Sequence, residues 1–197
     1  MSVSRETRML LDQYGDLIRK WNPAINLVAP GTISDLEHRH IRDSAQLFEL
    51  ASPKQGNWID LGSGGGLPGV VIAIFAINHP ITITLVESDK RKSAFLATVR
   101  RELNLKNLQI KAARMEDLAQ GAFKFASARA LASLENLMPN LSRQLAEGGE
   151  AWLLKGKSWQ QEVDQAKENW SFNLEMYKSR TDPESMVLKL RNISQNA

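Results

Sequence analysis

The run Trp58-Ile59-Asp60-Leu61-Gly62-Ser63-Gly64-Gly65-Gly66-Leu67-Pro68-Gly69 constrains this chain more than any other stretch. A short apolar segment ends in an acid, a glycine-rich turn follows, and the apolar run Val70 to Ile77 then reads as a helix. Five of the chain's 12 glycines lie between Gly62 and Gly69. Each glycine loses much conformational freedom on folding, so such a cluster marks backbone that turns sharply or touches something. Strand, glycine turn and helix in that order bring a parallel α/β sheet against a nucleotide-like ligand.

The rest of the chain fits that reading. Residues 4–22 carry Leu10, Leu11, Tyr14, Leu17, Ile18 and Trp21 at helical spacing, and Asn22-Pro23 is expected to stop the helix. A second helix is expected over Ile33–Leu50, with Ser34 to Glu37 as a capping box. Strands are expected at 57–61, 81–87, 108–112, 123–128 and 150–154, alternating with helices at 68–77, 90–103 and about 131–145, and a short turn near 116–119. Gly148-Gly149 is read as the end of the third of these helices, and Trp159, Val163, Ala166 and Trp170 mark another. Segments 172–178 and 186–193 read as an antiparallel pair closing a mostly parallel sheet. This predicts one α/β domain over 1–197, with 1–52 a helical extension packed on it.

Composition narrows the chemistry. With 43% hydrophobic residues the chain can build a core, and no apolar run approaches the ~18 residues of a membrane span. The absence of cysteine excludes disulfides, thiol nucleophiles and cysteine-type zinc sites. His38, His40 and His79 form no metal-ligand pattern with nearby acids, so no metal is expected. A net charge of +3 permits a nucleic-acid partner without requiring one. The N-terminal residues show no apolar signal core, and a cytoplasmic protein with no membrane partner is expected.

Two acids bear on the ligand. The dinucleotide pattern of three spaced glycines fails from Gly62, where Leu67 interrupts it, but is met from Gly64 by Gly66 and Gly69. No Lys-Ser/Thr pair follows, so this is not a phosphate loop. Asp60 ends the first strand beside the turn, and Glu87 ends the second, where a carboxylate can hold both ribose hydroxyls. Asp60-x-Gly62-x-Gly64 with an acid closing the next strand resembles motifs I and II of class I S-adenosylmethionine (AdoMet) methyltransferases. An acid there suits a sulfonium and repels a pyrophosphate.

A closer resemblance rests on several segments together. They are Trp21-Asn22 with Asn26-Leu27, Arg39-His40-Ile41-x-Asp43-Ser44, the glycine loop, Arg114-Met115-Glu116-Asp117, Ser127-Ala128-Arg129-Ala130 and Leu154-Lys155-Gly156. In this order they are similar to the RsmG (GidB) family, which methylates N7 of a guanine in 16S ribosomal RNA. The resemblance implies a Rossmann-like class I methyltransferase fold. It implies AdoMet as cofactor, with contacts at Gly62, Leu67, Met115, Glu116 and Arg129. The residues themselves add Gly64 in the turn and Glu87 on the ribose. Leu67 is expected to open a helix whose amides face the cofactor carboxylate. Arg129 and Lys155 are the expected catalytic, positioning residues, and Arg114 and Lys155 the expected RNA contacts. The partner implied is 16S ribosomal RNA or the small ribosomal subunit. Segment 182–186 departs from the family, many of whose members carry an arginine there, and Arg180 lies just upstream.

What is missing also fits. Neither a cysteine for pyrimidine C5 chemistry nor an Asn/Asp-Pro-Pro-aromatic turn for exocyclic amines is present after the fourth strand. Guanine N7 has an in-plane lone pair and no proton to lose, so alignment suffices. A methyltransferase acting on a protein or small molecule is the alternative reading. His40 is expected to be a hydrogen-bonded core histidine, with Asp43 as partner.

Overall fold

The computed structural model describes residues 3–196. A seven-stranded sheet of order β3-β2-β1-β4-β5-β7-β6 forms the middle layer. Strands β1 (Gly56–Leu61), β2 (Ile81–Glu87), β3 (Leu108–Ala112), β4 (Phe123–Arg129) and β5 (Leu145–Lys155) pair in parallel. Strand β7 (Met186–Gln195) runs antiparallel to β5 and to the edge strand β6 (Trp170–Lys178). The chain order reverses between β1 and β4, so their C-terminal ends border the crevice where open α/β sheets bind ligands.

Side chains alternate across the pleat and divide the core in two. Trp58, Phe125, Trp152 and Val187 point to one face, where α1 (Arg5–Ile25), α2 (Asp43–Ala51), α3 (Gly69–Phe75) and α4 (Lys90–Glu102) pack. Ile59, Ala126, Leu153 and Leu188 point to the other, against α5 (Leu134–Gln144) and α6 (Trp159–Asn169). The first helix is part of this core: Leu11, Tyr14 and Ile18 are buried with Trp58 and the α3 residues.

Several expected boundaries move. Helix α1 runs through Pro23 and ends where Asn26 turns left-handed at φ 48°, its N–H bonded to the Asn22 carbonyl. Pro23 falls in the last turn, where it forfeits one intrahelical bond and no further turn follows for it to disrupt. The buried Asn22 amide oxygen accepts the Val28 N–H at 2.8 Å and ties down the exit. The expected single helix over Ile33–Leu50 is a 3₁₀ turn (Pro30–Asp35), a π-helical turn (Glu37–Arg42) and then α2. No Ser34 capping box forms, because helical backbone already begins at Pro30. Gly148-Gly149 lies within β5 and does not end α5, which gives way at Leu145 to extended backbone. The cationic opening of α4, Lys90-Arg91-Lys92, is offset by Asp89, whose carboxylate accepts two N–H groups at 2.8 and 3.1 Å. Among the described residues no helix is long and apolar enough to cross a membrane.

Candidate functional site

The glycine loop is held from below. Asp60, at 0% exposure, accepts the Ser127 hydroxyl at 2.6 Å and the Gly69 N–H at 3.2 Å. Ser127 in turn accepts the Trp58 indole N–H at 2.9 Å. Tyr14 reaches across from α1 and donates to the Gly65 carbonyl at 2.6 Å. Burial pushes the Asp60 carboxyl up to about 6, and pushes the Tyr14 phenol well above its ordinary range. Asp60 therefore shapes the turn and offers no oxygen to a ligand. A Cβ on Gly69 would stand 2.2 Å from a Leu85 methyl and 2.7 Å from Asp60 Oδ2, so only glycine passes there.

The free face of the loop is Gly62 to Gly64, both glycines with φ near +60° (62° and 55°). Glu87, at the end of β2, accepts the Gly64 N–H and the Asp89 N–H, each at 2.7 Å. One lone pair on each of its oxygens stays available to hydroxyls. A cavity of about 180 Å³ opens here between Gly62, Val86, Ser88, Ala113, Met115 and Glu116, with Arg114 on its rim. The Met115–Asp117 turn is fixed by Arg143 of α5, which donates to the carbonyls of Met115 and Glu116 at 2.9 and 2.8 Å. Leu131 caps the cavity: a Cβ on Gly62 would lie 2.3 Å from a Leu131 methyl. Ala130, just before it, takes φ 50°, a left-handed conformation unusual for alanine.

The expected role of Leu67 changes. Its side chain is 4% exposed in the core and its N–H points at the Ser63 carbonyl at 3.3 Å. Helix α3 begins two residues later, at Gly69, whose own N–H is taken by Asp60. The amides expected to face a cofactor carboxylate are spent inside the loop.

A second cavity, about 280 Å³, adjoins the first beyond the Ala130–Ala132 segment. Its walls include Arg39, His40, Asp43, Arg129, Lys155 and Thr181. Arg129 ends β4 on the face toward α2, and its Nη1 donates to His40 Nδ1 at 2.8 Å. His40 Nε2 lies 2.7 Å from the Thr32 hydroxyl, which itself donates to the Ala29 carbonyl. Nε2 is therefore the protonated nitrogen and Nδ1 the acceptor. Burial, with the Arg129 and Arg39 charges, holds the His40 pKa down at about 4. His40's partners are thus Arg129 and Thr32, not Asp43 as the sequence suggested. Asp43 Oδ1 accepts Gln46 and Thr181 at 2.8 Å each, with the Ser179 hydroxyl at 3.4 Å, and Oδ2 lies 3.8 Å from Arg129 Nη1. Burial raises the Asp43 carboxyl above its usual range, against the pull of these donors and of Arg129.

Lys155 reaches the same cavity from the other face of the sheet, since β5 pairs Leu154, not Lys155, with Arg129. Its ammonium donates to the Ala132 carbonyl and to Glu162 Oε2, each at 2.7 Å. Glu162 Oε2 also accepts the Leu134 N–H at 2.8 Å, at the start of α5. The structure thus brings Gly62, Met115, Glu116 and Arg114 to one cavity, with Gly64 and Glu87 bonded to each other beside it, and Arg129 and Lys155 to its neighbour. Arg180 lies beside the second cavity, paired with Glu49. Thr32, Gln46, Arg143, Glu162 and Thr181 carry no motif of their own; Arg143 and Thr181 act on residues far away in the chain, and Thr32, Gln46 and Glu162 on nearer ones at spacings that no local pattern singles out. Among the described residues no cluster of histidines and acids is placed to hold a metal ion.

The model of a family described as "rRNA small subunit methyltransferase G", GidB, matches residues 7–186. A protein of Paracoccus denitrificans named ribosomal RNA small subunit methyltransferase G is 49% identical over 193 residues, covering 98% of both chains. One of the same name from a Ruegeria species is 45% identical, covering 98% of this chain and 94% of its own. Among solved structures, a ribosomal protein L11 methylase of Lactobacillus delbrueckii superposes with a TM-score of 0.62 at 15% identity, over 81% of this chain and 80% of that one. A TehB-like SAM-dependent methyltransferase of Corynebacterium glutamicum gives 0.61 at 12% identity, over 92% and 98%. At such identities the structures are alike in fold alone.

Proposed function

The chain belongs to the GidB family of small-subunit ribosomal RNA methyltransferases, and on that premise we propose that it methylates N7 of a guanine in 16S ribosomal RNA, holding AdoMet at the glycine loop. It is an AdoMet-dependent ribosomal RNA methyltransferase. The observation that supports the finer reading is the pair of adjoining cavities at the C-terminal ends of β1 and β4. One has the features of a nucleoside site: a glycine backbone open at Gly62, and beside it Gly64 and the carboxylate lone pairs of Glu87. The other carries a fixed guanidinium and the Asp43 carboxylate, and its imidazole is spent, because His40 Nδ1 is occupied by Arg129.

AdoMet supplies an electrophilic methyl group on a sulfonium. In our reading Glu87 holds the ribose, Met115 and Glu116 border the adenine, and Leu67 acts by folding the loop that presents Gly62 and Gly64. The protein need not remove a proton, since N7 attacks with a lone pair it already has. What it supplies is alignment and exclusion of water, worth several orders of magnitude in rate. Arg129 faces the base. Lys155 acts on the wall, fixing Ala132 and through it the partition between the cavities. N7 lines the deep groove of an RNA helix, which side chains cannot read, so the target base enters from a loop or is flipped out. Arg39 and Arg114 stand at the mouths of the two cavities to meet its phosphates.

The test is a map of 7-methylguanosine in ribosomal RNA from cells with and without the gene, repeated with purified enzyme on small subunits and on protein-free RNA. One site should lose its modification in the deletion strain and regain it in vitro. Unchanged modification would refute the assignment. Comparing the two in vitro substrates decides between free RNA and the assembled particle.

A further inference from the structure

The proposal above leaves open what makes the second cavity take guanine. Arg129 and Asp43 face each other across 3.8 Å, too far for a hydrogen bond, with side chains 17% and 15% exposed. Each has a spent side and a free side. Arg129 Nη1 is bonded to His40, leaving N–H groups of the guanidinium for the cavity. Asp43 Oδ1 is saturated by Gln46, Thr181 and Ser179, leaving Oδ2. A donor and an acceptor, side by side and unsatisfied by one another, therefore border a cavity of the size class of a nucleobase.

Resting on that reading, we infer that Arg129 and Asp43 together read the Watson–Crick edge of the target base, Arg129 donating to O6 and Asp43 Oδ2 accepting from N1–H. Asp43 is then the residue that makes the site refuse adenine. Adenine offers an amino donor at position 6 and an acceptor at N1, so both contacts would be donor on donor and acceptor on acceptor. Leaving such groups unpaired in a partly buried site is what gives polar pockets their discrimination. On guanine, O6 lies between N1 and N7. Gripping O6 from its N1 side leaves the N7 lone pair uncovered, and the neighbouring strand, β1, carries the glycine loop. Lys155 does not compete for the base, because its ammonium is bound to Ala132 and Glu162. Uracil presents the same O4/N3–H pair and should enter, but it has no N7 to methylate.

The test replaces the methylated guanosine, in reconstituted small subunits, by inosine or by 2-aminopurine riboside. Inosine keeps O6 and N1–H; 2-aminopurine loses both and keeps N7. The intrinsic N7 reactivity of each base is normalised by chemical methylation of the free nucleosides. Wild-type kcat/KM should fall less than about tenfold on inosine and roughly 100-fold or more on 2-aminopurine, the loss expected for two base-edge contacts. A variant then isolates Asp43. In Asp43→Asn the amide oxygen stays with the donors Gln46 and Thr181 and the amide nitrogen takes the place of Oδ2, facing the base as a donor. The ratio of guanine to 2-aminopurine activity should drop by roughly 10- to 100-fold. A merely structural role would lower both activities together and leave the ratio unmoved. A change in that ratio of less than about threefold, or a wild-type enzyme indifferent to 2-aminopurine after normalisation, overturns the inference. The wild-type series needs no variant to fold. Failure of the parent reading looks different: no 7-methylguanosine forms on the guanosine subunits at all.

Discussion

Half-buried His40 and buried Asp60 titrate in opposite senses, and their balance can be measured. The folded protein holds His40 at about 4 against an ordinary 6.5. Between those values the unfolded chain binds more protons, so His40's contribution to stability rises with pH across that window and is lost below it. Asp60 sits at about 6 against 3.8, so the folded state binds more protons between those values and stability falls as pH rises through them. The Asp60 displacement corresponds to about 3 kcal/mol at roughly 1.4 kcal/mol per unit, and that of half-buried His40 to less, because solvent screens it. Replacing His40 by Gln should therefore gain on wild type more at pH 4 than at pH 7, by about 1–2 kcal/mol once solvent screening of this half-buried ring is allowed for. Asp60→Asn should improve, relative to wild type, in the opposite direction, as pH rises from 4 to 7. Urea unfolding at a series of pH values reads both; a pH-independent difference for either would mean that its residue is not held in the stated ionisation state.

At the scale of elements, the segment between β4 and α5 joins the two cavities. Lys155 and Glu162 hold it from behind, at 8% and 18% exposure. Lys155→Met should cost about 3–5 kcal/mol by stranding Glu162, and Lys155→Met with Glu162→Leu should recover much of that, as paired removal of buried charges usually does. Denaturant curves would show the recovery, and its absence would mean that the pair is not what holds Ala132. In front, Leu131 lies over Gly62, on the path our reading gives to the cofactor's amino-acid arm. Leu131→Ala should raise the AdoMet association rate in stopped-flow without lowering the melting temperature by more than a few degrees, since Leu131 is 37% exposed. An unchanged rate would mean that the side chain is already clear of the path. These same elements show what the sequence could and could not tell. Strands alternate with β-branched residues and glycine turns, so β1 to β4 were legible almost to the residue. The family segments pointed to both cavities. Illegible were the places where packing between elements decides: Arg129 on His40, Lys155 on Glu162, and Leu67 turned into the core. The π-helical turn at Glu37–Arg42, which aims His40 and Asp43 into one cavity, breaks the regular helical period from which a helix is read.

At the scale of the molecule, the question is whether residues before β1 form a module of their own. Their contacts argue against it. Tyr14 bonds the glycine loop, Trp21 packs on Phe95 of α4 with ring centres 5.7 Å apart, and His40 and Asp43 bracket the end of β4. Asp43 also holds Thr181 between β6 and β7, so the N-terminal segment touches both ends of the chain's course through the sheet. Removing it would bare the apolar surface of β1, α3 and α4, which buries Leu11, Tyr14 and Ile18. We therefore expect one cooperative transition. In variants keeping a single tryptophan, Trp21 in α1 or Trp152 in β5, the fluorescence midpoints in urea should coincide, and both should match far-UV circular dichroism. A chain beginning at residue 53 should show no cooperative transition, while AdoMet should move both tryptophan midpoints of the full chain upward together. A Trp21 transition at distinctly lower urea would mean that the N-terminal segment melts off a stable sheet. The cavity walls it supplies, His40 and Asp43, would then be a detachable half of the site.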